Sequence, residues 1–227
     1  MLQGLFALLY GILIALLLIL GFFVYKESTG YNIVEYTVCT DKDIPAPVRF
    51  VMLSDLHDTD VTHDGNEGLF RSIQSIDPDF VIFAGDMITS YTQLGNGSDS
   101  TFAFMEKLAD KYRIYYGLGN HEQRYMAEPD RFPGKYEELK RRVESLGINL
   151  LSNAHTDLDK ENIRIYGFDI PIENYKRAVT VDLPEDIIPD TLGNCDGEKF
   201  NILIAHTPDF FKEYVKFSPD LILSGHL

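Results

Sequence analysis

The chain has 227 residues, a formal net charge of −15 at pH 7 and two cysteines. That length suits one domain with a short appendage, and the acidic balance excludes non-specific binding to nucleic acid, whose phosphates it would repel. The same charge means that positive charge for a phosphate ligand would have to come from metal; the cysteines, Cys39 and Cys195, fit no zinc pattern and read as isolated thiols.

In chain order, the first charged residue is Lys26, and residues 5–25 (LFALLYGILIALLLILGFFVY) are an almost unbroken apolar run. As a helix that run is about 31 Å long, enough for a hydrocarbon core of about 30 Å. No Lys or Arg precedes it, it is too long for a signal peptide, and no small-residue cleavage site comes after it. Residues 1–30 are therefore read as a retained, single-pass membrane anchor with its juxtamembrane segment. Lys26 and Glu27 alone do not set its orientation.

Residues 31–227 are read as one domain large enough to bury a full core. Residues 31–40 alternate like a strand, and 41–47 (DKDIPAP) read as a turn. Further strands are expected at 48–54, 79–84, 113–118, 149–152, 163–167, 200–205 and 221–224. Between them Leu69, Phe70, Ile73 and Ile76 share one helical face, closed by Pro78. Phe102, Met105 and Ala109 mark a second helix, and Tyr136, Leu139, Val143 and Leu146 a third, closed by Gly147. Its triplet Lys140-Arg141-Arg142 comes after Glu137 and Glu138 at the spacing of helical ion pairs, and so predicts a solvated face. Alternating strands and helices predict an α/β architecture.

The chemistry lies in the residues just past each apolar run. VRFVMLS leads into Asp55-Leu56-His57, DFVIFAG into Asp86, RIYYGLG into Asn120-His121-Glu122, FNILIA into His206 and LILSG into His226. Ligands of open α/β sheets bind beyond the carboxyl ends of the strands, and four of the six histidines fall in these blocks. One buried His or Asp is usually structural; five at equivalent strand ends point to a site. Carboxylate, amide oxygen and imidazole without thiolate suit Mn, Fe, Zn or Mg. Asp55 and His57, two apart, face the same way if the backbone is extended. Gly85, Gly119 and Gly225 each precede a candidate residue and permit close backbone approach. No nucleophile sits beside a base, and there is no Gly-rich phosphate loop.

The ordered series Asp-x-His, Gly-Asp, Gly-Asn-His-Glu, a lone His and Gly-His resembles the calcineurin-like metallophosphoesterases from about Val48 onward. With the apolar N-terminus it resembles their membrane-anchored bacterial branch. The resemblance implies a four-layer αββα sandwich and two divalent metal ions. Asp55 and His57 would bind the first metal, Asp86 would bridge both, and Asn120, His206 and His226 would bind the second. His121 would lie at the leaving group. A hydroxide between the metals would attack phosphorus in a phosphomonoester or phosphodiester, since metal binding lowers a water pKa from about 15.7 to about 7. The resemblance also favours the outer side of the membrane, and the anchor suggests a lipid-borne or cell-envelope substrate. The family's last block is Gly-His-x-His, whereas this sequence reads Gly225-His226-Leu227. It is therefore read as a fragment of a longer chain, with a non-catalytic tethered binding protein as the alternative.

Softer candidates surround these blocks. Arg124 is a candidate phosphate contact, with Tyr175, Lys176 and Arg177 as alternatives. His63 reads as a loop residue, His155 as part of a turn, Asp58 as support for the first block, and Glu122 as either an orienter of His121 or a solvated neighbour. Residues 91–100 and 123–133 read as substrate-selecting loops.

Overall fold

The computed structural model describes residues 2–28, 30–91, 99–175 and 182–226. The expectations that fall on Lys176, Arg177, Leu227 and most of the 91–100 loop lie outside them.

Two four-stranded sheets form the centre. The first is wholly parallel, in the order β1 (Phe50–Leu53), β2 (Phe80–Ala84), β3 (Arg113–Gly117), β4 (Asn149–Leu151). The second runs β5 (Ala154–Leu158), β6 (Ile163–Gly167), β7 (Phe200–Ile204), β8 (Leu221–Leu223), with β5 antiparallel to β6 and the rest parallel. Period-two alternation sorts each strand between two cores. Phe80, Ile82 and Ala84 of β2 meet Ile163, Ile165, Ile202 and Ile204 between the sheets. Val81 and Phe83 point the other way, toward α2 (Glu67–Ile76), α3 (Asp99–Ala109) and α5 (Lys135–Ser145). Tyr166, Phe168 and Leu203 pack outward against α6 (Ile187–Leu192) and α7 (Phe211–Phe217). Helices, sheet, sheet and helices thus enclose three apolar seams, in a fold that suits the expected sandwich.

The three expected helices form, and seven of the eight expected strands do. Residues 31–40 form no strand; Tyr31 instead bonds through its hydroxyl to Gly68 O (3.2 Å) and Ser72 Oγ (2.6 Å) of α2. His155, expected in a turn, lies in β5. That strand is polar on its exposed face and is held by main-chain pairing to β6, with Arg164 bidentate to its cross-strand partner Asp157 (2.5 and 2.8 Å). Residues 120–127, the start of an expected loop included, form a helix, α4 (Asn120–Ala127). The helical ion pairs expected on α5 give way to a tether. Arg142 reaches α3, bonding Asp99 (3.1 Å) and lying 3.7 Å over the Phe102 ring, where a cation–π contact adds to an ion pair that alone contributes little.

The N-terminal helix α1 (Leu2–Ser28) has 27 residues, about 40 Å at 1.5 Å per residue. Its described side chains, Leu16, Leu17, Leu18 and Phe22 among them, are exposed. Among the described residues no helix is long and apolar enough to cross a membrane.

Candidate metal centre

All five candidate blocks lie just beyond the carboxyl ends of parallel strands, three from the first sheet and two from the second. The site therefore straddles the seam between the sheets. Two bonds stitch that seam: His206 Nδ1 to Ala84 O (2.7 Å), and His226 N–H to Asp55 Oδ2 (3.0 Å).

Asp55 and His57 do not sit on extended backbone. Both are left-handed, with φ 56° and 50°, as are Asp58, Asp86 and His226 at φ 58°, 53° and 51°. Such residues cost roughly 1–2 kcal/mol each. Main-chain bonds hold the first turn in place, from Asp55 N to Gly85 O (3.1 Å), His57 N to Asp86 O (3.0 Å) and Asp58 N to Met87 O (3.1 Å). The chain thus folds over the Gly85-Asp86 corner instead of continuing β1, and that carries both side chains to Asp86. Gly85, at φ +91°, has no room for a side chain: a Cβ there would lie 2.5 Å from His206 Nδ1. A Cβ on Gly119 would strike the Asp86 carboxylate.

Asp86 is 1% exposed, and its Oδ2 is the hub. It lies 3.2 Å from His206 Nε2 and 3.9 Å from the Nε2 atoms of both His57 and His121, while Oδ1 accepts the His121 N–H at 2.8 Å. Asp55 Oδ1 is 3.7 Å from His57 and from His206. Two groups are close enough to share an ion, His57-Asp86-His121 and Asp86-His206-His226, with ligand atoms within 4.8 Å of one another.

Tautomers separate the histidines. Ala84 O can only accept, so His206 carries its proton on Nδ1 and presents a lone pair at Nε2. That Nε2 and Asn120 Oδ1 are buried with no hydrogen-bond partner among the described residues. Buried acceptors without a donor are costly unless a cation or proton meets them, and His206 Nε2 lies 3.2 Å from the Asp86 carboxylate, so these residues fit a divalent metal. His121 is built the other way. Its Nδ1 accepts from Ser90 N–H (2.9 Å), so the neutral ring carries its proton on Nε2, facing the site as a donor. Burial pulls its pKa down to about 4, helped by Arg124 and His57, so it stays neutral at neutral pH. Burial alone would raise Asp55, but bonds from His57 and Ser54 hold it at about 2.

Glu122 is neither a solvated neighbour nor an orienter of His121. It is fully buried and accepts four bonds: from Asp86 N (3.0 Å), Ile88 N (3.2 Å), Gly119 N (2.9 Å) and Tyr116 OH (2.6 Å). Burial, then the charge of Asp86, pushes it up to about 7 against those bonds. Its position three residues after Gly119 places it in the first turn of α4, where a carboxylate takes the orphan N–H before the helix. That spacing was the sequence signal for it. Ser90 carried no such signal, whereas Tyr175 was an alternative phosphate contact and Tyr91 opened an expected substrate-selecting loop. Tyr175 packs edge-on to His226 (5.2 Å between centroids), and Tyr91 edge-on to His121 (5.0 Å). Arg124, one turn after His121 on α4, bonds Ser90 Oγ (3.3 Å) at the rim. Asp58 Oδ2 accepts Thr89 N–H (2.9 Å), which pins the same loop. His63 is exposed and outside the cluster, and both cysteines are free thiols.

Comparison with known proteins agrees with this layout. The chain is 25% identical over 201 residues to a Danio rerio protein named transmembrane protein with metallophosphoesterase domain, covering 79% of this chain and 40% of the relative. It is 26% identical over 226 residues to an uncharacterized metallophosphoesterase of Campylobacter jejuni, covering 94% of this chain and 53% of the relative. The chain thus spans about half, or less, of the length of these relatives. Residues 48–227 match the family described as calcineurin-like phosphoesterase, and the chain belongs to that family.

Proposed function

We propose that the chain is a metal-dependent phosphoesterase that hydrolyses a phosphomonoester or phosphodiester with two divalent ions. The observation that carries this reading is the buried Asp86 Oδ2, reached at once by His57 from one side and His206 from the other. Asp55, His57 and Asp86 would hold one ion; Asp86, Asn120, His206 and His226 would hold the second. Mn, Fe, Zn and Mg all suit these donors. The ions would supply a water nucleophile at neutral pH and offset charge on the phosphoryl oxygens.

The protein's own part is orientation and proton placement. Ala84 O fixes the His206 ring, and Asp86 Oδ1 fixes the first turn of α4. His121 presents Nε2–H where a leaving oxygen gains charge, and its neutral ring adds no competing cation. Arg124 supplies a guanidinium at the rim for a phosphoryl oxygen.

Helix α1 acts in this reading as a single-pass anchor. Its uncharged 5–25 stretch supports that role, as does the word "transmembrane" in the name of one relative. The domain would then stand on the outer face and act on a lipid-borne or cell-envelope ester. Nucleic acid is disfavoured by the charge of −15.

The test is turnover by the full chain of mono- and diester substrates across Mn, Fe, Zn and Mg. Metal-dependent release of phosphate or alcohol from at least one class is expected. Failure with every metal on both classes overturns the reading.

A further inference from the structure

Among the described residues outside α1 and the segment after it, few large apolar side chains are exposed, and Tyr91 is the most exposed of them at 76%. It stands beside the proposed centre. Its ring lies edge-on to His121, 5.0 Å between centroids, and the Arg124 guanidinium carbon lies 5.7 Å from its centroid. Arg124 is in turn tied to Ser90, whose N–H fixes His121. The exposed aromatic is therefore positioned by the same short network that aims the His121 proton. An aromatic face left in water beside a reacting centre gains free energy when another ring covers it. The opposite wall differs: Tyr175 is half-buried, with its hydroxyl enclosed.

We propose that Tyr91 is a specificity-determining platform that stacks a ring carried on the leaving group of the ester, while Arg124 takes a phosphoryl oxygen beside it. The substrate class is an ester whose aromatic or sugar ring is joined to the bridging oxygen directly or through one carbon. This rests on the phosphoesterase reading, because it places the leaving group at His121.

The test uses binding as well as turnover, on the full chain in detergent with metal present. Phenylphosphonate should bind roughly tenfold more tightly than methylphosphonate, the scale of one aromatic stacking contact. Tyr91→Ala should remove that gap, while Tyr91→Phe and Tyr91→Trp keep it. No gap in the parent chain, or a gap that survives Tyr91→Ala, overturns the proposal. In turnover, Tyr91→Ala should raise KM several-fold more for phenyl phosphate or hexose 1-phosphate than for glycerol phosphate. Which ring ester responds names the source of the face; equal change in all three overturns the platform. If no ester is cleaved at all, the phosphoesterase reading fails, and the phosphonate arm still decides the role of Tyr91.

Discussion

The two halves of the centre are built from the same residue types and are held in opposite ways. On the first-sheet side, the loop after β2 and the start of α4 are gathered by one buried carboxylate, Glu122, with four donors on it. On the second-sheet side, the His206 ring donates to a single carbonyl, Ala84 O. The outcome is chemical as well as mechanical. His121 accepts at Nδ1 and shows the site a proton, whereas His206 donates at Nδ1 and shows it a lone pair. Imidazoles that are alike in sequence become a donor and a ligand through whichever backbone atom touches the far nitrogen.

The strongest way to break this comparison is to remove what both halves share. Asp86→Ala should strip metal and lower kcat/KM by roughly 10³-fold or more. Metal content and turnover measured together check this, and ordinary turnover by the variant would dismiss Asp86 as the shared ligand. Next comes the contrast itself. His206→Ala should lower metal content, whereas His121→Ala should leave it in place and lower kcat roughly 10²-fold. Equal metal loss in both variants would erase the distinction.

Glu122→Gln tests the mechanical half. The amide brings donors against backbone N–H groups, so about 3 kcal/mol of stability should be lost in urea unfolding. Tyr116→Phe removes only one of the four donors and should cost about 1 kcal/mol. Equal effects would mean that the carboxylate does not gather the loop. Between these two in size lies Asp169, at the end of β6 beside Ser152 and buried, with Oδ1 unpartnered among the described residues. Burial pushes its pKa up from 3.8 to about 7, so the folded state holds this proton more tightly than the unfolded chain. Its contribution to stability is full below about pH 4 and is lost as pH rises through 7. Asp169→Asn should therefore melt higher than the parent at pH 8, by an amount on the order of 2 kcal/mol. The advantage should shrink toward pH 4.5, and a gap independent of pH would refute it.

Much of this was legible in the chain. Strand β2 announces itself because it is buried on both faces, and such a strand reads as a continuous apolar run; β7 is as deeply buried and departs from that pattern only at Asn201. β5 was not legible, since its exposed face is polar and pairing to β6, not an apolar run of its own, marks it as a strand. Residues 31–40 alternate like a strand, yet alternation only offers a face, and the segment pairs with neither sheet. The candidate residues were legible as blocks at strand ends. The left-handed turns that bring Asp55 and His57 to Asp86 were not, because Asp and His permit that conformation without requiring it.

The sequence by itself determined the order of the blocks, the donor types and thereby the family, because apolar period and side-chain chemistry are local properties. Only the tertiary structure decided which nitrogen of each histidine faces the centre, that Glu122 is buried under it, and that Tyr91 stands exposed beside it. Those outcomes depend on which backbone atom from another strand arrives within about 3 Å, and no local pattern encodes that.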